Sequence, residues 1–386
     1  LFYNKNVDDI SKLRLLTAQM HLEPSNNMPC THLSINKQDT VAISTATQSN
    51  GTKIKVLKTL LTSVCERDCY YCPFRSGQDF RRATFTPDEF AHLFVSLYQA
   101  RIVTGIFLSS GVINGGVFTQ DKLIATADIL RKKYRFWGYI HLKIMPGVEK
   151  AQVEQAMLLA DRVSINLEAP NSDKLSLLAP EKIFSSELLQ PLKWINEIRN
   201  TESGQLAWNG YWPSSVTQFV VGAVGDTDLE LLATSHMLYQ QYGLKRVYYS
   251  AFTPITGTPL ENNPPGLPIR EHRLYEASFL LRDYGFDFED LTFDNTGNLP
   301  TDVDQKVLWA QHNILEPMEI NRADLCELLH IPGIGKKGAA SILAARKRHT
   351  IRNLEELNKL GVNTHRAAPF IILDGKHPSQ QLTFRL

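Results

Sequence analysis

Six short runs rich in β-branched and aromatic residues recur between residues 56 and 252: VLKTLLTS (56–63), TGIFLSS (104–110), YIHLKIM (139–145), RVSINLE (162–168), VTQFVVG (216–222) and RVYYSAF (246–252). Helix-like stretches separate them, at Pro87–Gln99, Asp121–Lys133, Glu149–Ala160, Ser185–Arg199 and Asp226–Tyr242. Parallel strands need long crossovers, so alternation of this kind calls for βαβ units. Such crossovers are right-handed by default. A barrel or partial barrel is the expected fold, with a doubly wound open sheet as the alternative. In a barrel the active site lies at the C-terminal ends of the strands.

The flanking segments read differently. Residues 8–22 carry Ile10, Leu13 and Leu16 at helical spacing, and a polar stretch follows through Gly51. Beyond Pro259, ENNPPGLP (261–268) reads as a linker or turn, and a helix is expected over Arg270–Tyr284. The aspartate-rich segment Asp287–Asp304 reads as solvated surface. A compact helical unit is expected from Asn321 to Gly361, with no internal repeat. The expected divisions are an N-terminal helical and loop extension (1–52), a βα domain (53–260), a linker with a helical extension (261–318) and a C-terminal helical domain (319–386).

A hydrophobic fraction of 43% over 386 residues suits a large buried core, and a net charge of +1 leaves any polyanion contact to a local patch. No apolar run reaches the length of a membrane span, and no charged-then-apolar leader opens the chain. The chain begins at Leu1 without Met, so an upstream start is expected. Five cysteines in so long a chain are not a secreted disulfide framework, and a reducing cytoplasm fits better.

Three of those cysteines, Cys65, Cys69 and Cys72, crowd into CERDCYYCPF (65–74), just after the first of the six β runs. Structural zinc takes four ligands, and Cys30, His32 or His92 would have to supply the fourth. Three buried, idle thiols are a second reading. The third is an iron–sulfur cluster, in which three thiolates leave one iron open to a further ligand.

CERDCYYC resembles the CxxxCxΦC signature of the radical S-adenosylmethionine (SAM) superfamily, with Tyr71 as the aromatic Φ. The resemblance implies a 4Fe-4S cluster on Cys65, Cys69 and Cys72. It also implies SAM chelated by the open iron, reductive cleavage to a 5′-deoxyadenosyl radical, and a partial (β/α)6 TIM-type barrel. By the same resemblance Ser109, Ser110 and Gly111 hold the methionine amino group, in a turn that lacks the family's acidic residue. INLEAP (165–170) looks like the ribose-binding pair of some members, with Asn166 and Glu168 at the i, i+2 spacing of one strand face. The alternative for Glu168 is an ion pair with a nearby Lys or Arg. Gly222 permits backbone approach to adenine or is a plain turn residue, and Gln218 faces the methionine carboxylate. Phe252, in YYSAFTP (248–254), lays backbone against the adenine, while Tyr248 and Tyr249 are otherwise core aromatics. Lys143 and Met145 end the third run and point toward the same pocket. Arg75, Arg81 and Arg82 meet a phosphate or only solvent, and Cys30 lies in a segment that folds over the mouth or is an idle loop thiol.

LLHIPGIGKKGAASIL (328–343) resembles a helix-hairpin-helix. Asn321 is expected to cap its first helix, with Ala323, Leu325, Leu328 and Leu329 on the apolar side. Gly333, Ile334 and Gly335 form the turn, and Lys336, Lys337 and Arg346 add charge beside a helix start that suits a phosphate. A third helix, capped by Asn353 and ended by Gly361, follows. The implied partner is DNA, duplex by family habit and bound without regard to sequence. A packing or protein-contact module is the alternative.

The two halves together resemble the radical SAM proteins named for DNA modification or repair that carry a C-terminal helix-hairpin-helix. The expected architecture is therefore α/β, a partial barrel with a small all-α C-terminal domain. The expected activity is radical chemistry on DNA, with an electron donor such as flavodoxin or ferredoxin. An RNA- or tRNA-modifying enzyme is one alternative, and a non-catalytic DNA-binding iron–sulfur redox sensor is another.

Overall fold

The computed structural model describes residues 5–17, 20, 31–36, 39–47 and 52–378. Cys30 lies outside them, as does the last part of the expected first helix, which is described as α1 (Lys5–Thr17). Leu13 and Leu16 are fully buried and Ile10 is half-buried.

One sheet organises the N-terminal half. Strands β1 (Thr31–Asn36) and β2 (Asp39–Thr47) form an antiparallel hairpin, and β2 pairs antiparallel with β3 (Lys53–Leu60). These two strands occupy the stretch that reads as polar loop. THLSIN and DTVAISTAT hide their strand character because threonine counts as polar while its branched Cβ favours the pleat.

From β3 onward every neighbour is parallel and sequential. The chain runs through α2 (Pro87–Gln99), β4 (Gly105–Ser109), α3 (Gly115–Asp128), β5 (Tyr139–Lys143), α4 (Lys150–Leu159) and β6 (Arg162–Ser164). It continues through α5 (Ser172–Leu178), α6 (Gln190–Thr201), β7 (Ser214–Val221), α7 (Asp228–Tyr242) and β8 (Arg246–Ala251). All six expected β runs are strands, and β3 to β8 in sequential parallel order make the body of a partial barrel. Covered on both faces, the strands read as apolar runs: every residue of β4 is buried. Helix α2 begins with Thr86 accepting from Glu89 N and Glu89 accepting from Thr86 N, with Pro87 at its first position. Two expected helices carry π-helical turns at one end, Ile129–Lys133 after α3 and Phe184–Leu189 before α6. Helix α5 was not expected.

The chain divides into two compact units, residues through Asp226 with Met237–Leu267, and Thr227–His236 with Pro268 onward. The second contains α8 (Pro268–Asp283), α9 (Gln305–Asn313), β9 (Met318–Glu319), α10 (Leu325–His330), α11 (Lys336–Ala345), α12 (Leu354–Lys359), α13 (Thr364–Ala367) and β10 (Ile371–Ile372). Residues 268–318, expected as a separate linker and extension, group with the C-terminal helices in this unit. The aspartates there serve local structure. Asp294 organises a turn by accepting from Thr296 and Asn298, Asp304 caps α9, and Asp290 accepts from Trp309 Nε1 at 2.9 Å.

Candidate functional site: a three-cysteine cavity and a helical hairpin

Pairing with β4 continues one residue past β3, through Leu61 N to Ser109 O at 2.8 Å, and the chain then leaves the sheet into the cysteine loop. The loop is a series of tight turns, with Cys72 N donating to Cys69 O at 3.1 Å and Ser76 N to Arg67 O at 2.8 Å. The turn after β4 lies flat against it. Gly111 N donates to Thr62 O at 2.8 Å, Glu66 N to Val112 O at 2.8 Å, and Val112 N to Cys65 Sγ at 3.4 Å. A methyl group on Gly111 would stand 2.2 Å from the Val64 carbonyl oxygen, so only glycine permits this approach.

Arg82 staples the far end of the loop through the carbonyls of Ser63, Phe74, Arg75 and Gln78. Its guanidinium is engaged by these backbone carbonyls, and the residue is half-buried. Arg75 faces Asp68 at 3.4 Å, and Arg81 is exposed. The near end is tied to the segment after α5: Tyr70 N donates to Leu178 O at 2.9 Å, and Arg67 reaches Glu187 at 2.7 Å and the Glu181 carbonyl at 2.5 Å.

A cavity of about 320 Å³ opens beside this loop at the C-terminal ends of the strands. Cys65, Cys69 and Cys72 line it together with Tyr71, Ser109, Ser110 and Gly111. Asn166, Glu168, Gln218 and Phe252 complete the expected set, and Lys143 and Met145 also reach it. Gly222 does not. Its φ of +86° and its N–H, which donates to the Asp226 carboxylate at 3.0 Å, make it a turn residue closing β7. Phe252 lines the cavity, but its backbone is spent: N–H to Val221 O at 2.9 Å, carbonyl to Gly266 N at 2.8 Å.

Glu168 is the most constrained residue of the site. Its backbone rejoins β7 beyond the end of β6, N–H to Gln218 O and carbonyl to Val220 N, and it holds a left-handed φ of +65°. That conformation costs a non-glycine residue about 1–2 kcal/mol. Oε1 lies 3.1 Å from Lys182 Nζ, while Oε2 is buried and closes no hydrogen bond of ordinary geometry, with the Tyr71 hydroxyl standing beside the carboxylate. Glu168 thus forms the ion pair with a lysine that the sequence also suggested, and its side chain lines the cavity. Burial opposes its charge, but Lys182 and Lys143 outweigh that and hold the carboxyl below its usual range. Ser110 Oγ is likewise buried and unpartnered. Burial pushes the Cys69 thiol up, against the nearby Lys182, and pushes Cys72 up further, with Cys69 and Cys65 adding to the shift. Burial and the neighbouring Glu168 also keep the Tyr71 hydroxyl protonated.

Among the described residues no group of three or more His, Cys, Asp and Glu side chains is placed to hold a single metal ion. His92 is exposed on α2, away from the cavity, and His32 belongs to β1. Lys182 was missed because its partner lies fourteen residues upstream and across a loop that sequence periodicity does not register. Its one signal, a basic residue following the unanticipated α5, is too common to single out.

The C-terminal stretch forms helices around a shared core that includes Ile334, Leu328, Ile342, Val362 and Ala367. Helix α10 is capped by Asp324, not Asn321. Glu327 N donates to Asp324 Oδ1 at 2.8 Å and Asp324 N to Glu327 at 2.7 Å. The Asn321 side-chain amide instead donates to Ile351 O at 2.9 Å and accepts from Ile351 N at 2.8 Å. Leu325 is 47% exposed rather than on the apolar side, while Ala323, Leu328 and Leu329 are buried. Gly333 holds φ +83° and Gly335 caps α11. Ile334 is buried and Lys336 and Lys337 are exposed. Lys336 reaches Asp283 at 3.1 Å. Arg346 is turned inward and donates to the carbonyls of Ala323 and Ile320, so its guanidinium serves packing.

The structure also exposes an internal repeat. Asp324 with Glu327, then Gly333, Ile334, Gly335 and Ala339, correspond to Asn353 with Glu356, then Gly361, Val362, Asn363 and Ala367. Both members of each pair play one role. Asp324 and Asn353 cap six-residue helices, Gly333 and Gly361 hold φ +83° and +85°, and Ile334 and Val362 are buried. The two turns pack together, with Asn363 N donating to Gly333 O at 2.9 Å. One residue fewer in the second turn and little shared identity conceal the repeat in the sequence.

No protein-family profile matches the chain, and no curated protein does. Among solved structures, the FeFe-hydrogenase maturase HydG from Carboxydothermus hydrogenoformans is similar over 59% of this chain, at 15% identity and a TM-score of 0.45. Methylornithine synthase PylB is similar over the same share, at 15% identity and a TM-score of 0.45. The chain covers 51% of that maturase and 61% of that synthase, between half and two thirds of their length. A radical SAM methyltransferase from Sphaerobacter thermophilus is similar over 69% of this chain and 78% of its own, at 15% identity and a TM-score of 0.44.

Proposed function

We propose that the chain is a radical SAM enzyme acting on DNA, in base modification or repair. The observation that carries it is the convergence of three thiols, the unpartnered Glu168 Oε2 and the unpartnered Ser110 Oγ on one cavity. A buried polar atom without a partner costs about 1–3 kcal/mol and is expected to find one in a ligand. The donor set fits the expected groups. Cys65, Cys69 and Cys72 would hold a 4Fe-4S cluster, and Asn166 with Glu168 would hold the ribose diol of SAM. Bound there, such a cluster would supply one-electron reduction of SAM at its sulfonium. The protein's part is to position and to exclude water. Gly111 seats the β4 turn against the cysteine loop, and Lys182 and Lys143 keep Glu168 ionised. The electron would come from a carrier such as flavodoxin or ferredoxin. No helix among the described residues is long and apolar enough to cross a membrane, and we place the reaction in the reducing cytoplasm.

DNA enters through the second unit, read as a helix-hairpin-helix. Gly335 carries no side chain at the start of α11, the first amides of α11 lack intrahelical acceptors, and Lys336 and Lys337 stand exposed beside them. Contacts of this kind are to phosphates, salt-sensitive and sequence-independent. A base inside a duplex must be flipped out or already damaged to reach a cavity.

The test is anaerobic. The chain is reconstituted with iron and sulfide, SAM and dithionite are added, and 5′-deoxyadenosine is quantified with and without duplex DNA. Release above a Cys69→Ala control, raised by DNA, is expected. Release indifferent to DNA but raised by RNA shifts the substrate to RNA, and no release from cluster-loaded protein leaves a redox sensor.

A further inference from the structure

The Glu168–Lys182 pair has a property beyond mutual neutralisation. Both side chains are more than nine-tenths buried, and both line the cavity. With Oε1 engaged by Lys182 Nζ at 3.1 Å, the carboxylate plane is held, and its other oxygen, beside the Tyr71 hydroxyl, closes no hydrogen bond of ordinary geometry. The lysine itself is presented by a short segment fixed on the opposite side. Leu178 O accepts from Tyr70 N, Glu181 O from Arg67, and Glu181 Oε2 from Asp68 N at 3.2 Å. One stretch of chain thus grips the cysteine loop and aims a cation at Glu168. Without Lys182 this deeply buried carboxylate, held in a left-handed backbone conformation, would lose its ion pair and its orientation and keep only the charge of nearby Lys143.

We propose that Lys182 is a positioning residue: by engaging Oε1 it fixes the Glu168 carboxylate with Oε2 presented to one hydroxyl of a vicinal diol in the cavity. This rests on the adenosyl reading of the cavity given above. Lys182 acts through Glu168, so its effect on binding is confined to ligands that carry the diol.

The experiment uses the full chain after anaerobic cluster reconstitution, with dissociation constants for adenosine and 2′,3′-dideoxyadenosine measured by calorimetry. Lys182→Met and Glu168→Gln are each expected to weaken adenosine about tenfold, as for a lost charge-assisted hydrogen bond. The double variant should be no weaker than either, Lys182→Arg should restore most of the affinity, and dideoxyadenosine should bind all forms alike. Losses that multiply in the double variant, or an equal loss for dideoxyadenosine, overturn the proposal. Melting temperatures give a readout without ligand. Lys182→Met should melt below the double variant, because it alone leaves a buried anion unpaired. A Lys182→Met protein that melts with the wild type overturns the pairing. Failure of wild-type protein to bind adenosine at all would overturn the adenosyl reading and leave the melting comparison to decide the role of Lys182.

Discussion

The two units build candidate sites in opposite ways. The first turns side chains inward: thiols, Glu168 and Lys182 are gathered behind a wall of strands, and the decisive atoms are buried. The second turns backbone outward. Its apolar side chains, Ile334 among them, are consumed by the core, and what remains at the turn is glycine, amide and exposed lysine. A small molecule that must be oriented and dried suits the first arrangement, and a polyanion of indefinite length suits the second.

The sharpest way to break that contrast is through the glycine each unit cannot replace. Gly111→Ala places a methyl 2.2 Å from a carbonyl oxygen and forces the cysteine loop off the β4 turn. Destabilisation on the order of 3 kcal/mol is expected, with iron content after reconstitution falling toward that of Cys69→Ala. Gly333→Ala meets both a positive φ of +83° and the Asn363 carbonyl at 2.3 Å. It should cost about 2 kcal/mol and abolish duplex binding in a gel-shift assay, while 5′-deoxyadenosine release without DNA is retained. Loss of both activities in either variant would mean the units do not divide the labour.

Buried basic groups, whose charged forms burial disfavours, make each unit respond to pH in its own window. In the first, burial and then the surrounding Arg162, Lys143 and Lys58 hold His141 well below its ordinary value. The unfolded chain therefore takes up a proton that the folded one refuses, and stability falls as pH drops below about 6.5. In the second, burial and Arg366 lower Lys306 to about 7, although Asp304 works the other way. Between pH 7 and about 10.4 the unfolded chain holds more protons, so stability rises with pH across that window. Calorimetric scans at pH 5, 7 and 9 should show both trends, and Lys306→Met should flatten the alkaline one. The smallest effect is expected at the surface. Lys337→Gln should weaken duplex binding less than tenfold and lower the slope of log affinity against log salt by about 1.

The βα alternation was legible because each strand of a covered parallel sheet is an apolar run, and such runs stand out against amphipathic helices. The hairpin β1–β2 was not, because six of its fifteen strand residues are threonines or serines, whose polarity suggests a loop although the branched threonines favour a strand. Cys65, Cys69 and Cys72 announced themselves by spacing within eight residues. Lys182 did not, since a lysine gains meaning only from the carboxylate it faces. Asn321 and Arg346 were misread for a related reason: a cap and a phosphate ligand were inferred from residue type near a motif, while Asp324 made the better cap and carbonyls at a helix lead-in claimed the arginine.

By itself the sequence determined the kinds of group available and their order: six strands, three clustered thiols, a glycine-rich turn before a helix. These follow from local physics, in which periodicity, propensity and short spacing act over a few residues. Tertiary structure alone decided which groups share a cavity, that Gly222 is a turn and not a lining, that Glu168 keeps one oxygen unpartnered, and that the C-terminal hairpin is doubled. Those facts depend on contacts between residues distant in the chain, where burial and a single well-placed charge outweigh any local preference.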